Sequence, residues 1–239
     1  MKKYVVSACL WLLAFSWLGT GHGQLPMSHG GLGAPSGGGG GGNTVVFDAS
    51  CVGAVSGQTV TTSGAITCLT IQNTNPNVFV VIQLISMNTG NMASPTCTWN
   101  GISTTAITST TRLFSFGLVN PTTGAHPASC SWTNNDQSLL ALSSWYTVNQ
   151  TTPTNSSTSN SGTGTTASVA PTGQSGNKCL GAYNTTSNFA TASGTDIGHS
   201  NAGNTFSGAA NWDAQGNTLS YTFSPSAAWT AMGFCVAGT

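Results

Sequence analysis

The chain has 239 residues, only 3% of them charged, and no net charge at pH 7. Beyond residue 23 the only cations are Arg112 and Lys178, and the only acids are Asp48, Asp136, Asp196 and Asp213. Nucleic-acid binding needs many Lys and Arg to neutralise phosphates, so it is excluded as a role, and so little charge gives weak colloidal repulsion and favours self-association.

The chain opens MKKYVVSACLWLLAFSWLGTGHG. Lys2 and Lys3 form a basic start, an uncharged apolar run follows from Tyr4 to Leu18, and Gly21 and Gly23 precede a cut ahead of Gln24. Residues 1–23 are therefore expected to be a secretory signal peptide, which places the protein outside the cell or at its surface. The apolar run is shorter than the ~20 residues a spanning helix needs. No later stretch is long and apolar enough, so no membrane span is expected after removal.

Residues 24–43 contain six consecutive glycines, Gly37 to Gly42. Such a run buries no apolar surface and loses much chain entropy on ordering, so a flexible segment is expected. It joins the short peptide QLPMSHGGLGAPS to the rest of the chain. One use is a tether. Another is strand donation to the open edge of a neighbouring copy, with self-association or strand exchange as the result. For that role Leu25 and Met27 are separated by Pro26, and TVVFD beyond the glycines is the better donor.

Residues 44–239 are expected to form one β-sandwich domain. Helical periodicity is nearly absent. Residues 78–87, VFVVIQLISM, are rich in β-branched side chains and apolar on both alternating faces, as in a strand covered on both sides. Further strand candidates run from TVVFD through AITCLTI, PTCTWN, RLFSFGLV, PASCSWT, LLALSSWYTV, GTTASVA, NKCLGAY and LSYTFS to WTAMGFCVAG. Turn-forming pieces such as NTNPN, NPTTG, TNND and DAQGN separate them, the pattern of an antiparallel sandwich or barrel. Residues 150–166, polar and rich in turn formers, are expected to be a long loop inside this domain.

Six cysteines follow the signal sequence: Cys51, Cys68, Cys97, Cys130, Cys179 and Cys235. An even number in an exported chain points to disulfides, and no two lie close enough for a zinc-type C-x-x-C pair. Connectivity does not follow from counting alone. TCTWN and SCSWT both read C-x-W, so each Cys shares a sheet face with its Trp, and a Cys97–Cys130 bond would be covered by Trp99 and Trp132. Cys51 and Cys68 flank a turn-rich stretch, which suggests a locally stapled hairpin. Cys179 and Cys235 remain, and their bond would hold the last strand against fraying.

Four stretches together carry a resemblance: WNGISTTAI (99–107), NPTTGAHPASCSW (120–132), LALSSWYTVNQTTPTNSS (140–157) and WTAMGFCVAG (229–238). Their order and spacing resemble a jelly-roll-like β-sandwich module of secreted bacterial proteins and phage structural proteins. The resemblance spans about residues 78–238 and lies in turn residues and core positions. It implies a jelly-roll-like sandwich and no catalytic residues. The six cysteines depart from the module's usual pattern and suggest an exported variant rather than a virion protein.

Few residues offer chemistry. A glycosidase needs two carboxylates about 5–10 Å apart, yet Asp136 in TNND and Asp213 in WDAQGN read as turn residues bonding their own backbone. No G-x-S-x-G elbow supports a triad around His126 or His199. Asp196 and His199, spaced i, i+3 in DIGH, are too few ligands to name a transition metal. No cofactor is expected, calcium on Asp and loop carbonyls being the one ion such a module accommodates without a sharp sequence trace. Trp145, Tyr146, Tyr183, Trp212 and Trp229 offer rings to a sugar. Trp145 and Trp229 read as core, while Trp212, followed by Asp213 in a turn, is the best exposed stacking residue and makes this pair the candidate glycan site. Sequons occur at Asn149, Asn155 and Asn184. The reading that results is a secreted, non-enzymatic β-sandwich with a surface, adhesive or extracellular structural, fibre-forming role. A carbohydrate-binding module is the alternative, and a polysaccharide or ester hydrolase ranks third.

Overall fold

The structure, a computed structural model, describes residues 43–54, 61–72, 75–88, 92–201 and 206–239. The expected signal sequence and all of the glycine-rich segment except Asn43 lie outside the described residues. Residues 40–239 fall in one compact unit. Among the described residues there are seventeen strands, numbered in chain order, and no helix.

Three antiparallel sheets stack in layers. The central one has the order β1 (Val46–Ala54), β11 (Ser138–Tyr146), β4 (Phe79–Ser86), β8 (Leu113–Val119), β7 (Thr105–Ser109). Its period-2 alternation sends side chains to two different cores. Phe79, Val81 and Ile85 of β4 enter one core with Leu139 and Trp145 of β11, whereas Val80, Ile82 and Leu84 enter the other with Leu140 and Leu142. Every residue of β4 is buried, as the two-faced apolar run of residues 78–87 requires.

The second sheet covers one face with the order β2 (Thr61–Ile66), β10 (Ala128–Asp136), β5 (Thr96–Trp99), β6 (Ile102–Ser103). Cys97, Trp99, Cys130 and Trp132 all point into the core it shares with the central sheet, on the face their C-x-W spacing assigns. Asn100 and Gly101, with φ of 49° and 76°, form the two-residue turn between β5 and β6, and Trp99 pairs with Ile102 across it. A small ladder of β3 (Thr70–Ile71) and β9 (Gly124–Ala125) closes one margin.

The third sheet covers the opposite face with the order β12 (Thr154–Val169), β17 (Leu219–Val236), β13 (Lys178–Thr185), β16 (Ser207–Ala214), β15 (Thr195–Ser200), and β14 (Asn188–Ala192) also pairs with β17. The stretches expected as two strands, LSYTFS and WTAMGFCVAG, are one strand, β17. Its first part pairs with β14 and the end of β12, and its second part with β13 and the start of β12. The register of β12 against β17 shifts at Gly164/Thr166. A third core gathers Tyr183, Phe189, Leu219, Tyr221, Phe223 and small residues from β12, β13, β14, β16 and β17. Asn211 spans this core: its Oδ1 accepts from Tyr183 Oη at 2.9 Å, and its Nδ2 donates to the carbonyls of Ser193 and Ser220.

Two expectations change. Of residues 150–166, expected as a loop, those from Thr154 on belong to β12, which runs on through the expected strand GTTASVA; half of the strand's residues are exposed, on both faces. Backbone pairing with β17 holds it, so it shows none of the apolar alternation that marks a half-buried strand. AITCLTI is also not one strand, since β2 stops at Ile66 and β3 holds only Thr70 and Ile71.

Disulfides join Cys51 to Cys68, Cys97 to Cys130, and Cys179 to Cys235. The last two link directly opposed residues on neighbouring strands. The first does not staple a hairpin: Cys51 sits on β1 of the central sheet, β2 belongs to the second sheet, and Cys68 follows β2. This bond ties two layers together.

Candidate functional site

The carboxylates are committed to the fold. Asp48 accepts from Ser144 Oγ at 2.8 Å and from Asn75 Nδ2 at 3.2 Å. Asp136 is not in a turn but ends β10, fully buried, where Ser86 Oγ donates to its Oδ2 at 2.6 Å. Burial raises its pKa to about 6, against the pull of the Ser86 hydroxyl and of Arg112. Asp213 lies on β16 and accepts from the amide of Ala214 at 2.6 Å.

Asp196 and His199 lie on β15, with Nδ1 of His199 3.7 Å from Oδ2 of Asp196. The Tyr221 hydroxyl donates to Asp196, and burial together with this carboxylate raises the Tyr221 phenol above its ordinary value. The group therefore holds a buried tyrosine at the rim of the third core. His126 lies apart, its Nε2 2.8 Å from the Thr123 carbonyl and its ring edge-on to Trp99. Among the described residues no three of His, Cys, Asp and Glu gather as metal ligands.

The aromatic rings face inward. Trp212 lies on β16, and the turn begins only at Gln215. Its indole stacks on Phe47 with centroids 5.0 Å apart, meets Trp145 edge-on at 5.2 Å, and lies under the Lys178 ammonium at 5.5 Å. It is half-buried against the core between the central and third sheets, so its faces are engaged by the protein itself. Trp145 and Tyr183 are fully buried, and Trp229 packs against the third core. Of the sequons, Asn184 is buried at 1% exposure and donates to the Ser86 carbonyl, so it is closed to glycosylation in the folded domain. Asn149 accepts from the amides of Thr151 and Thr152, and Asn155 accepts from Asn177.

What the domain presents is the outer face of the second sheet. Opposed residues run in rows across the strands: Ser63, Ser131 and Thr96 in one, and Ala65, Ser129, Thr98 and Ser103 in the next. Thr96 and Ser131 share a hydrogen bond of 3.1 Å. These rows line a shallow depression of about 410 Å³ with no charged side chain in it. The opposite face of the same strands carries the Cys97–Cys130 bond and two buried tryptophans. No pattern of site residues marked this surface; its signal in the sequence is the alternation of Thr and Ser with Cys and Trp in TCTW and SCSW.

The chain matches no family model, and neither a curated protein nor a solved structure matches it.

Proposed function

We propose that this chain is an exported, non-enzymatic β-sandwich that serves as a structural or adhesive subunit at a cell surface or in extracellular material. The observation that supports this most is the uncharged hydroxyl face of the second sheet, fixed from behind by a disulfide and two buried tryptophans. A sheet face exposed to water usually alternates with charged residues that keep molecules apart. Here small hydroxyls at strand spacing leave a flat surface that needs little desolvation of charge to pack against another surface. The use of all four aspartates as structural hydrogen-bond acceptors supports a non-enzymatic reading. Three disulfides fit an oxidising location. The inward packing of Trp212 favours this role over sugar stacking.

Light scattering and electron microscopy of the oxidised chain, alongside a glycan array, test the reading. Concentration-dependent oligomers or fibres, weakened by Ser131→Lys, are expected. A strictly monomeric protein that binds a glycan or turns over a polysaccharide or ester would overturn it.

A further inference from the structure

Where the chain passes from the second sheet to the central one, the sandwich has an uncovered margin. Among the described residues β6 pairs only with β5 and β7 only with β8, so both are edge strands with an unpaired outer side. Thr104 joins them, and its amide and its Oγ both donate to the Cys97 carbonyl, at 3.0 and 2.8 Å, which fixes the crossing. Sheets commonly guard such edges with charged residues or proline. Residues 102–109 contain neither, and a register shift at Ala106/Thr108 is the one irregularity in this stretch.

Two apolar features lie on this margin. The first is a knob. Ile102 is 47% exposed, the one exposed large apolar side chain among the described residues. The Asn100–Gly101 turn sets it opposite Trp99, and no strand of its own sheet stands beyond it. The second is a hollow of about 360 Å³. Phe79, Ile107, Leu118, Val119 and Pro153 give it an apolar wall, Thr105 at the start of β7 borders it, and no charged side chain lines it. A Cβ at Gly117 would collide with the Phe79 ring, so glycine here is what lets the ring reach the wall. Ile102 does not line the hollow of its own chain. Ile102 and Thr105 are three residues apart, so at most ~11 Å of chain separates knob from hollow.

We infer that two copies of this chain meet margin to margin about a two-fold axis, with Ile102 of each seated in the hollow of the other. An isologous contact uses one patch twice, so a patch that carries both knob and hollow is completed by a second copy of itself. Seating the side chain buries apolar surface on both partners and strips no charge of water. The edge is short, so the dimer is of the weak, micromolar kind rather than an obligate one. It uses the edge of the sandwich and stands apart from the hydroxyl face of the second sheet. A longer assembly rests on both: face and margin contacts in alternation extend an open chain.

Sedimentation of the full oxidised chain between about 1 and 200 μM tests it, in a Ser131→Lys background that disfavours face contacts. A monomer–dimer equilibrium is expected. Ile102→Ser should raise its dissociation constant at least about 10-fold while leaving the circular dichroism spectrum unchanged. Ile102→Lys and Thr105→Glu should each give monomers. An equimolar mixture of these two variants should form a dimer, because the mixed pair keeps one unaltered knob and hollow and sets opposite charges against each other in the second. A monomer at every concentration, a dimer indifferent to Ile102, or a mixture that stays monomeric overturns the inference. Dimers with no larger assembly in the chain that keeps Ser131 support it and overturn the hydroxyl-face contact instead.

Discussion

At the scale of single residues, the rare charges in this protein are structural. Asp136 is the clearest case, because burial pushes its pKa up to about 6, well above the ordinary carboxylate range. The folded state then binds the proton more tightly than the unfolded chain does. The stability this contributes is present in full below about pH 4 and is lost as pH rises through about 6. The whole shift corresponds to a penalty on the order of 3 kcal/mol at neutral pH. Urea denaturation at pH 4 and pH 7 should show the more acidic sample to be more stable, with the difference largely removed in Asp136→Asn. Equal stability at both pH values in the unaltered chain would mean that the carboxylate is better solvated than its position at the end of β10 implies. Asn211 is a neutral counterpart: it joins Tyr183 and two facing backbone carbonyls, and its loss would leave the buried Tyr183 hydroxyl without its acceptor and take a donor from the Ser193 and Ser220 carbonyls.

At the scale of elements, the three disulfides act on different parts of the stack. Cys97–Cys130 and Cys179–Cys235 reinforce pairs of strands that backbone bonds already hold, whereas Cys51–Cys68 crosses from the central sheet to the second. Restriction of the unfolded chain scales with loop length, giving about 3 kcal/mol for the 17-residue separation and about 4 kcal/mol for the 56-residue one. Replacing each pair with serine should therefore lower the urea midpoint more for Cys179 and Cys235 than for Cys51 and Cys68. In native-state hydrogen exchange the order should change: loss of the Cys51–Cys68 bond should speed exchange in β2 selectively, because that edge strand loses its tie to the layer beneath. Uniform acceleration across all three sheets would argue against a layer-specific role. The long β12 belongs to the same scale. Its residues face solvent on both sides over much of its length, so its pairing with β17 supplies the order that its composition lacks.

For the whole molecule, near-zero charge and three rigid layers set how copies meet. With 3% charged residues there is little for salt to screen. The proposed self-association should therefore be nearly unchanged in sedimentation runs between about 20 mM and 500 mM NaCl. A strong rise or fall in apparent mass across that range would assign the contact to Arg112, Lys178 or the aspartates rather than to the neutral hydroxyl face.

Local pattern alone carried the strand character, the two-faced burial of residues 78–87, and the shared face of Cys97 with Trp99 and of Cys130 with Trp132, because each follows from side chains alternating along one extended segment. Tertiary structure decided which layers Cys51 and Cys68 join, that residues 154–163 form a strand with the GTTASVA stretch after them, and that the rings of Trp212, Trp145 and Phe47 meet. Those outcomes depend on which distant strands become neighbours. A period of two residues says which way a side chain points but not what stands opposite it.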